Sequence, residues 1–239
     1  MIKKQINQKD SFDIELLNSI GYDYVFNNSP INRLKNKINT PNKLDENKHE
    51  KLIKLKQEID SIEDCKLKKN ASRIVFADGN VQSSIMIVGE GPGQKEDELG
   101  KPFVGDAGSL LNRMLKAINI EREKVYITNV VNYRPPNNRK PEISEVNRYS
   151  KYLKEHISII NPKILILMGS TAMETLIGSN KKISRERGEW KEVIIKQKTY
   201  KTIITFHPAY LLRQPGQKKF SWEDLKTIRK EIDALNIKI

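Results

Sequence analysis

The stretch 85–111 reads IMIVGEGPGQKEDELGKPFVGDAGSLL, and the rest of the chain is arranged around it. Ile85–Val88 reads as a short apolar strand. It runs into a turn containing Gly89, Gly91 and Gly93, where backbone can approach a ligand closely or take positive φ, and Pro92 stiffens that turn. An acidic segment follows, then an aromatic loop around Phe103, then a helix. A plain strand–helix connection takes only a few residues. This one is far longer and carries carboxylates beside an aromatic ring, the profile of a pocket-forming loop on a scaffold.

Downstream, strands and helices alternate. Ala107, Leu110, Leu111, Met114, Leu115 and Ile118 fall on one face of a helix that Asp106 is placed to cap. Val125–Thr128 is a second strand, ending at Asn129. A proline-stiffened basic connector, 132–140, leads through Pro141 into a helix lined by Ile143, Val146, Leu153, Ile157 and Ile160. Ile164–Met168 is almost wholly apolar, the signature of a buried parallel strand. Gly169-Ser170 then turns into a helix in which Thr171 and Glu174 fit a capping box. Residues 179–200 are charged and weakly periodic, with Trp190 as the bulky anchor, which fits a β excursion. Ile203–Phe206 is the last core strand, ending at His207. A basic loop and a helix with Trp222, Leu225, Ile228 and Ile232 inward follow. Four apolar strands alternating with helices predict an α/β fold: a three-layer α/β/α sandwich around a central, mostly parallel four-stranded sheet.

Upstream, Ile74–Phe76 reads as a short extended piece and Asp78-Gly79 as a turn. Phe12–Tyr24 has the spacing of a short helix. The segment 27–50, rich in Asn, Lys and Pro, reads as a flexible link. Leu52, Leu55 and Ile59 mark a charged helix with a narrow apolar stripe. The chain carries 43 basic against 30 acidic residues, a formal charge of +13. That favours a polyanionic partner such as nucleic acid, although Lys, Asn and Ile are abundant throughout and charge alone is weak evidence. One cysteine, Cys65, excludes an intrachain disulfide and fits a reducing compartment. The N-terminus lacks the apolar core of a secretion signal, and no run is long enough to span a bilayer. A cytoplasmic protein with no membrane partner is expected.

Glu90, Asn129 and His207 each lie just past the C-terminal end of a strand, where open α/β sheets place their ligands. The segments around them are GEGPGQKEDELGKPFVGDAG at 89–108, TNVVNYRPP at 128–136 and HPAYLLR at 207–213. In order and spacing these resemble the three signature regions of the type-4 uracil-DNA glycosylases, and the resemblance runs from about Ile59 to about Ile232. It implies two parts: an N-terminal extension at 1–58, partly helical and partly flexible, and a uracil-DNA glycosylase-like catalytic domain at 59–239.

A side-chain amide such as that of Asn129 can donate to a uracil carbonyl and accept from ring N3–H, a pairing that cytosine mismatches at both positions. By residue type alone Asn129 also fits a turn cap; the coincidence with His207 favours base reading, and the resemblance assigns it to uracil. Phe103 fits either a loop anchor or a stacking platform, and the resemblance implies stacking on the base, with Gly91 bringing backbone close to it. By residue type alone His207 also fits a hydrogen-bonded structural residue at a strand end; the resemblance supports its donating to uracil O2 as charge develops there. Among the carboxylates, the resemblance ties Glu96 to activity, orienting water or stabilising a cationic sugar. Glu90 is expected to shape the pocket or its water network, and Asp97 and Glu98 read as solvated.

For DNA, Arg134 and Arg213 are the candidate phosphate contacts, the Gly169-Ser170 turn offers Ser170, and Leu211 or Leu212 is the candidate wedge for the vacated stack. Either leucine fits equally well packed beneath its loop. Type-4 members hold a four-iron, four-sulfur cluster on four cysteines, and the corresponding positions here are Ile62, Cys65, Tyr133 and Tyr149. One thiol cannot replace four, so no cluster and no metal is expected. The expected activity is hydrolytic release of uracil from DNA, leaving an abasic site for downstream repair enzymes. No lysine is placed for coupled strand cleavage, and a monomer is expected. The alternatives are a glycosylase with another damaged-base preference and a catalytically weak DNA-binding relative.

Overall fold

The computed structural model describes residues 43–238; the helix expected at Phe12–Tyr24 and most of the link expected at 27–50 lie outside them. In order, the elements are α1 (Lys43–Asp60), α2 (Lys66–Asn70), β1 (Asp78–Gly79), β2 (Ile85–Gly89), α3 (Gln94–Leu99), α4 (Asp106–Ala117), β3 (Tyr126–Asn129) and α5 (Ile143–Ile160). Then come β4 (Ile164–Met168), α6 (Ser170–Ile177), α7 (Ile183–Glu186), β5 (Trp190–Ile195), β6 (Lys198–Thr205), α8 (Pro208–Arg213) and α9 (Lys218–Ala234). Helix α1 begins inside the stretch expected as a link: its Lys and Glu residues are good helix formers, and Leu52, Leu55 and Ile59 bury one face.

The strand order is β1-β3-β2-β4-β6-β5. The four inner strands are parallel; β2, β3 and β4 are wholly buried, and β6 is buried over its second half, Thr202–Thr205. Successive side chains of a strand point to opposite faces. Met86 and Val88 thus join Leu55, Leu153, Ile157 and Ala172 beneath α1, α5 and α6. Ile85 and Ile87 join Leu111, Leu115, Leu211 and Ile228 beneath α4, α8 and α9. This is the α/β/α layering expected.

The four-stranded expectation is corrected: the sheet has six strands and is mixed, because an antiparallel strand is added at each edge. At one edge Asp78 and Gly79 pair with β3, where a turn was expected, while Ile74–Phe76 forms no strand. At the other, β5 pairs with β6 through a two-residue hairpin at Lys196-Gln197, both at positive φ (47° and 65°). Such turns ordinarily use Asn-Gly, so the turn itself left no signal in the sequence, although a β excursion was expected within 179–200 and β5 lies there. Strand β5 is half-exposed, with Ile194 facing solvent, as edge strands are.

Strand order reverses at β2, since the chain passes from β2 to β3 on one side and later to β4 on the other. Ligands of open α/β sheets bind at such a switch point, beyond the carboxyl ends of the strands.

Candidate active site

A cleft of about 740 Å³ opens at that point, lined among others by Glu90, Gly91, Glu96, Phe103, Asn129, Ser170, His207 and Arg213. The structure therefore brings together every candidate pocket residue. Of the candidate DNA contacts, Ser170 and Arg213 line the cleft and Arg134, Leu211 and Leu212 do not.

Asn129 ends β3 and is 3% exposed. Its side-chain oxygen is buried with no hydrogen-bond partner. An unmet buried acceptor is rare and costs about 1–3 kcal/mol, and this one belongs to a residue that lines the cleft. Gly89 makes the arrangement possible. A Cβ there would sit 2.4 Å from Asn129 Oδ1 and 2.5 Å from Phe103 Cζ, so only glycine lets amide and ring converge over β2.

Phe103 sits at φ 53°, a left-handed conformation that costs a bulky residue roughly 1–3 kcal/mol. Arg122, which the sequence reading did not single out, holds it there. Its guanidinium donates to the carbonyls of Pro102 (2.7 Å) and Phe103 (3.1 Å) and is anchored on Asp78 at 2.9 Å. The Phe103 ring stacks on His207 with centroids 5.3 Å apart.

His207 precedes α8 and caps it: Nδ1 accepts from the Ala209 N–H at 3.2 Å, with Pro208 at the first helical position. An accepting Nδ1 leaves the proton on Nε2. Burial, with the nearby Arg213 charge adding to it, lowers the His207 pKa to about 4. At neutral pH the ring is thus an uncharged imidazole with an Nε2–H to donate. His156, by contrast, is fully inside the core, bonded to Tyr126 Oη at 2.8 Å and stacked on Phe76.

The two leading carboxylates differ in how occupied they are. Glu96 Oε1 accepts from the backbone N–H groups of Val104 (2.9 Å) and Gly105 (2.8 Å), and Oε2 from that of Gly93 (3.1 Å). It clasps the two ends of the pocket loop. Glu90 accepts through one oxygen from the Thr171 hydroxyl. Thr171 therefore supports Glu90 instead of forming the expected capping box, and Glu174 pairs with Lys140 at 3.3 Å. Asp106 is likewise the first helical residue of α4 and not its cap. Asp97, expected in solvent, is 3% exposed and accepts from the Ser72 and Arg73 N–H groups.

Around the rim, Arg134 donates to Asn138 Oδ1 at 2.7 Å, and Arg139 forms a bidentate pair with Glu145 (2.7 and 2.8 Å) that fixes the proline-rich connector. Leu211 is 1% exposed and packs in the core, whereas Leu212 is 39% exposed. Adjacent residues on a helix point about 100° apart, so only one can be seated inward.

The positions where the resemblance implies cluster cysteines carry a different chemistry. Cys65 Sγ lies 3.3 Å from Tyr149 Oη, Tyr133 donates to Asp60 on α1, and Ile62 packs beside them. Burial, joined by Asp60 for Tyr133 and by Cys65 for Tyr149, raises both phenols well above the usual tyrosine range, so neither supplies an anionic ligand. That donor set does not fit a four-thiolate cluster. Among the described residues no three His, Cys, Asp or Glu side chains converge to hold a metal ion, and no helix is long and apolar enough to cross a membrane.

Comparison with known proteins agrees with this geometry. The profile described as "Uracil DNA glycosylase superfamily" matches residues 76–227. The chain is 42% identical over 186 residues to a type-4 uracil-DNA glycosylase of Sulfurisphaera tokodaii, covering 74% of this chain and 83% of that protein. It is 43% identical over 150 residues to the one from Thermotoga maritima (62% and 77% covered), and 39% over 183 residues to that of Archaeoglobus fulgidus (75% and 92%). With a pocket at the switch point of the sheet and likeness across most of these enzymes, the chain is a glycosylase that belongs to the uracil-DNA glycosylase superfamily, akin to its type-4 members.

Proposed function

We propose that the chain hydrolyses the N-glycosidic bond of deoxyuridine in DNA, releasing uracil and leaving an abasic site. The observation that carries this reading is the buried, partnerless Oδ1 of Asn129 beside the Phe103 ring. Uracil answers it with N3–H, while the amide nitrogen of Asn129 donates to O4. Cytosine would bring a bare N3 to the oxygen and an amino group to the donor, leaving both unpaired; sites built this way discriminate strongly. Phe103 offers its face to the extruded base, with Gly91 backbone alongside.

His207 acts as a neutral electrophile. As the glycosidic bond lengthens, negative charge collects on uracil O2, and Nε2–H donates to it; loss of such a donor typically costs about 100- to 1,000-fold in rate. The deoxyribose left behind is electron-poor. Glu90, whose second carboxylate oxygen has no protein partner among the described residues, stabilises it or directs the attacking water. This exchanges the expected ranking of the two carboxylates: Glu96 positions the loop. Arg134, Ser170 and Arg213 hold phosphates, and the exposed Leu212 fills the vacated stack while Leu211 seats α8. No lysine serves as a Schiff-base nucleophile, so no strand cleavage accompanies excision. The enzyme acts as a monomer, and abasic-site repair enzymes take its product.

The test is incubation of the chain with single- and double-stranded oligonucleotides containing one uracil, followed by alkali. Scission at that base alone is expected, and Asn129→Asp should depress it. Unchanged uracil release by Asn129→Asp would remove the assigned role, and an intact oligonucleotide with wild-type protein would favour a DNA-binding relative without turnover.

A further inference from the structure

The cleft has a side that neither the motifs nor the proposed DNA contacts account for. Ile183 and Ser184 line it, on the turn that carries α7 between α6 and β5. This turn is firmly built. Ile183 packs against both apolar layers of the core. Arg187 reaches the 1% exposed Asp224 on α9, with Nε 3.0 Å from Oδ2, and its guanidinium lies 5.4 Å over the ring of Phe206, the residue before His207. Thr205 donates to the same carboxylate at 2.7 Å. Gly188 has φ +78° and a would-be Cβ 2.6 Å from Asp224 Oδ1, so no other residue fits there. Glu186 is shared by Lys191 (2.7 Å) and Lys181 (3.5 Å).

Those contacts occupy Lys181, Arg187 and Lys191 and both carboxylates of the segment, since Glu189 also lies 3.7 Å from Lys191. Lys182 and Arg185, which flank the two lining residues, are exposed and have no acidic partner among the described residues. A turn whose Lys181 and Lys191 are paired within the segment and whose Arg187 is paired with α9, while Lys182 and Arg185 beside the lining residues are not paired among the described residues, is suited to a strand of phosphates.

We propose that Lys182–Arg185 is a further DNA-contacting lip, in which Lys182 and Arg185 hold backbone phosphates of the strand whose base enters the cleft. The proposal rests on the DNA-glycosylase reading above but not on turnover. It places basic contacts on a third segment of the rim, beside the proline-rich connector and the end of α8.

The experiment is a salt titration of binding to undamaged and abasic-analogue oligonucleotides, read by fluorescence anisotropy, for wild type, Lys182→Ala/Arg185→Ala and Lys226→Ala/Lys230→Ala. The last pair removes equal charge from the far end of α9. Loss of two phosphate contacts lowers the slope of log K against log salt by about 1.8 on duplex and about 1.4 on single strands. That drop is expected for the lip variant and not for the α9 variant. Equal slopes in lip variant and wild type, or equal drops in both variants, would overturn the proposal. Because binding is read without excision, a wild type that binds through the lip yet releases no uracil would defeat the functional reading and leave the lip standing. Uracil release with an unaltered slope in the lip variant would do the reverse.

Discussion

Gly89→Ala is the sharpest perturbation of the pocket, since it adds one methyl group and removes nothing. The new Cβ would lie 2.4 Å from Asn129 Oδ1 and 2.5 Å from Phe103 Cζ. Reaching even the 3.0 to 3.4 Å range of tight Cβ contacts moves the amide by roughly 0.6–1.0 Å, and the ring must yield by a similar amount. Misplacing a substrate-binding group by about 1 Å costs about 100-fold in rate, equivalent to ~2.7 kcal/mol of transition-state stabilisation. Overpacking a buried site costs about 1–3 kcal/mol of stability, or a fall of about 2–12 °C in melting temperature for a domain of this size. The assay is kcat/KM for uracil release from a single-stranded oligonucleotide, beside a circular dichroism melt. Gly216→Ala, where a Cβ meets nothing within 4 Å, is the control and should match wild type. A Gly89→Ala protein that is folded and within threefold of wild-type activity would refute the convergence of amide and ring over β2.

Three further outcomes follow from the same geometry. Arg122→Gln should release Phe103 from its left-handed conformation and leave Asp78 with only Lys101, at 3.8 Å, lowering kcat/KM at least about tenfold; activity unchanged in a folded variant would show that Arg122 does not hold the ring. Because the His207 pKa is lowered to about 4, uracil release should stay level from pH 7 to about 5 and fall only nearer pH 4; a break near 6.5 lost in His207→Ala would contradict the neutral imidazole. Folding stability depends on pH in the same direction. The unfolded state takes up a proton on His207 near pH 6.5 and the folded state only near 4, and on His156 near 3, so their stabilisation is present above about pH 6.5 and is lost as pH falls. Tyr149→Phe should retain the fold with a small loss of stability, and freshly isolated wild type should show no iron–sulfur absorbance; a visible charge-transfer band would contradict the tyrosine-filled site.

The inner sheet was legible because each of its strands holds a short run of apolar residues, although β6 begins five residues before the expected Ile203–Phe206 run, and the pocket because Glu90, Asn129 and His207 sit just beyond such runs. The edges were not. Strand β5 interleaves Lys191 and Glu192 with apolar residues, and its hairpin turns on Lys196-Gln197 without glycine or asparagine. Strand β1 is two residues long and reads as the turn that Asp-Gly ordinarily makes. In the site, what stayed hidden were residues that act through others. Arg122 lies in a single turn before β3, and no sequence spacing connects it with Phe103. Thr171 satisfied a local capping pattern, but its hydroxyl donates to Glu90 just past the end of the neighbouring strand β2, where a carboxylate acceptor outweighs a backbone cap. The sequence placed Glu96 above Glu90, but motif position does not reveal how many N–H groups a carboxylate already serves, and Glu96 serves three.

One bond sets both the start of α8 and the protonation site of the imidazole it begins with. If the Ala209 N–H lets go of Nδ1, the first turn frays and the proton is free to leave Nε2, the donor in the proposed mechanism, for Nδ1. An opening free energy of about 1.4 kcal/mol would leave about one molecule in ten in that idle form. The chemical competence of the pocket is therefore tied to the local melting of a six-residue helix, and a substitution that loosens α8 would look like damage to the histidine while leaving the histidine in place.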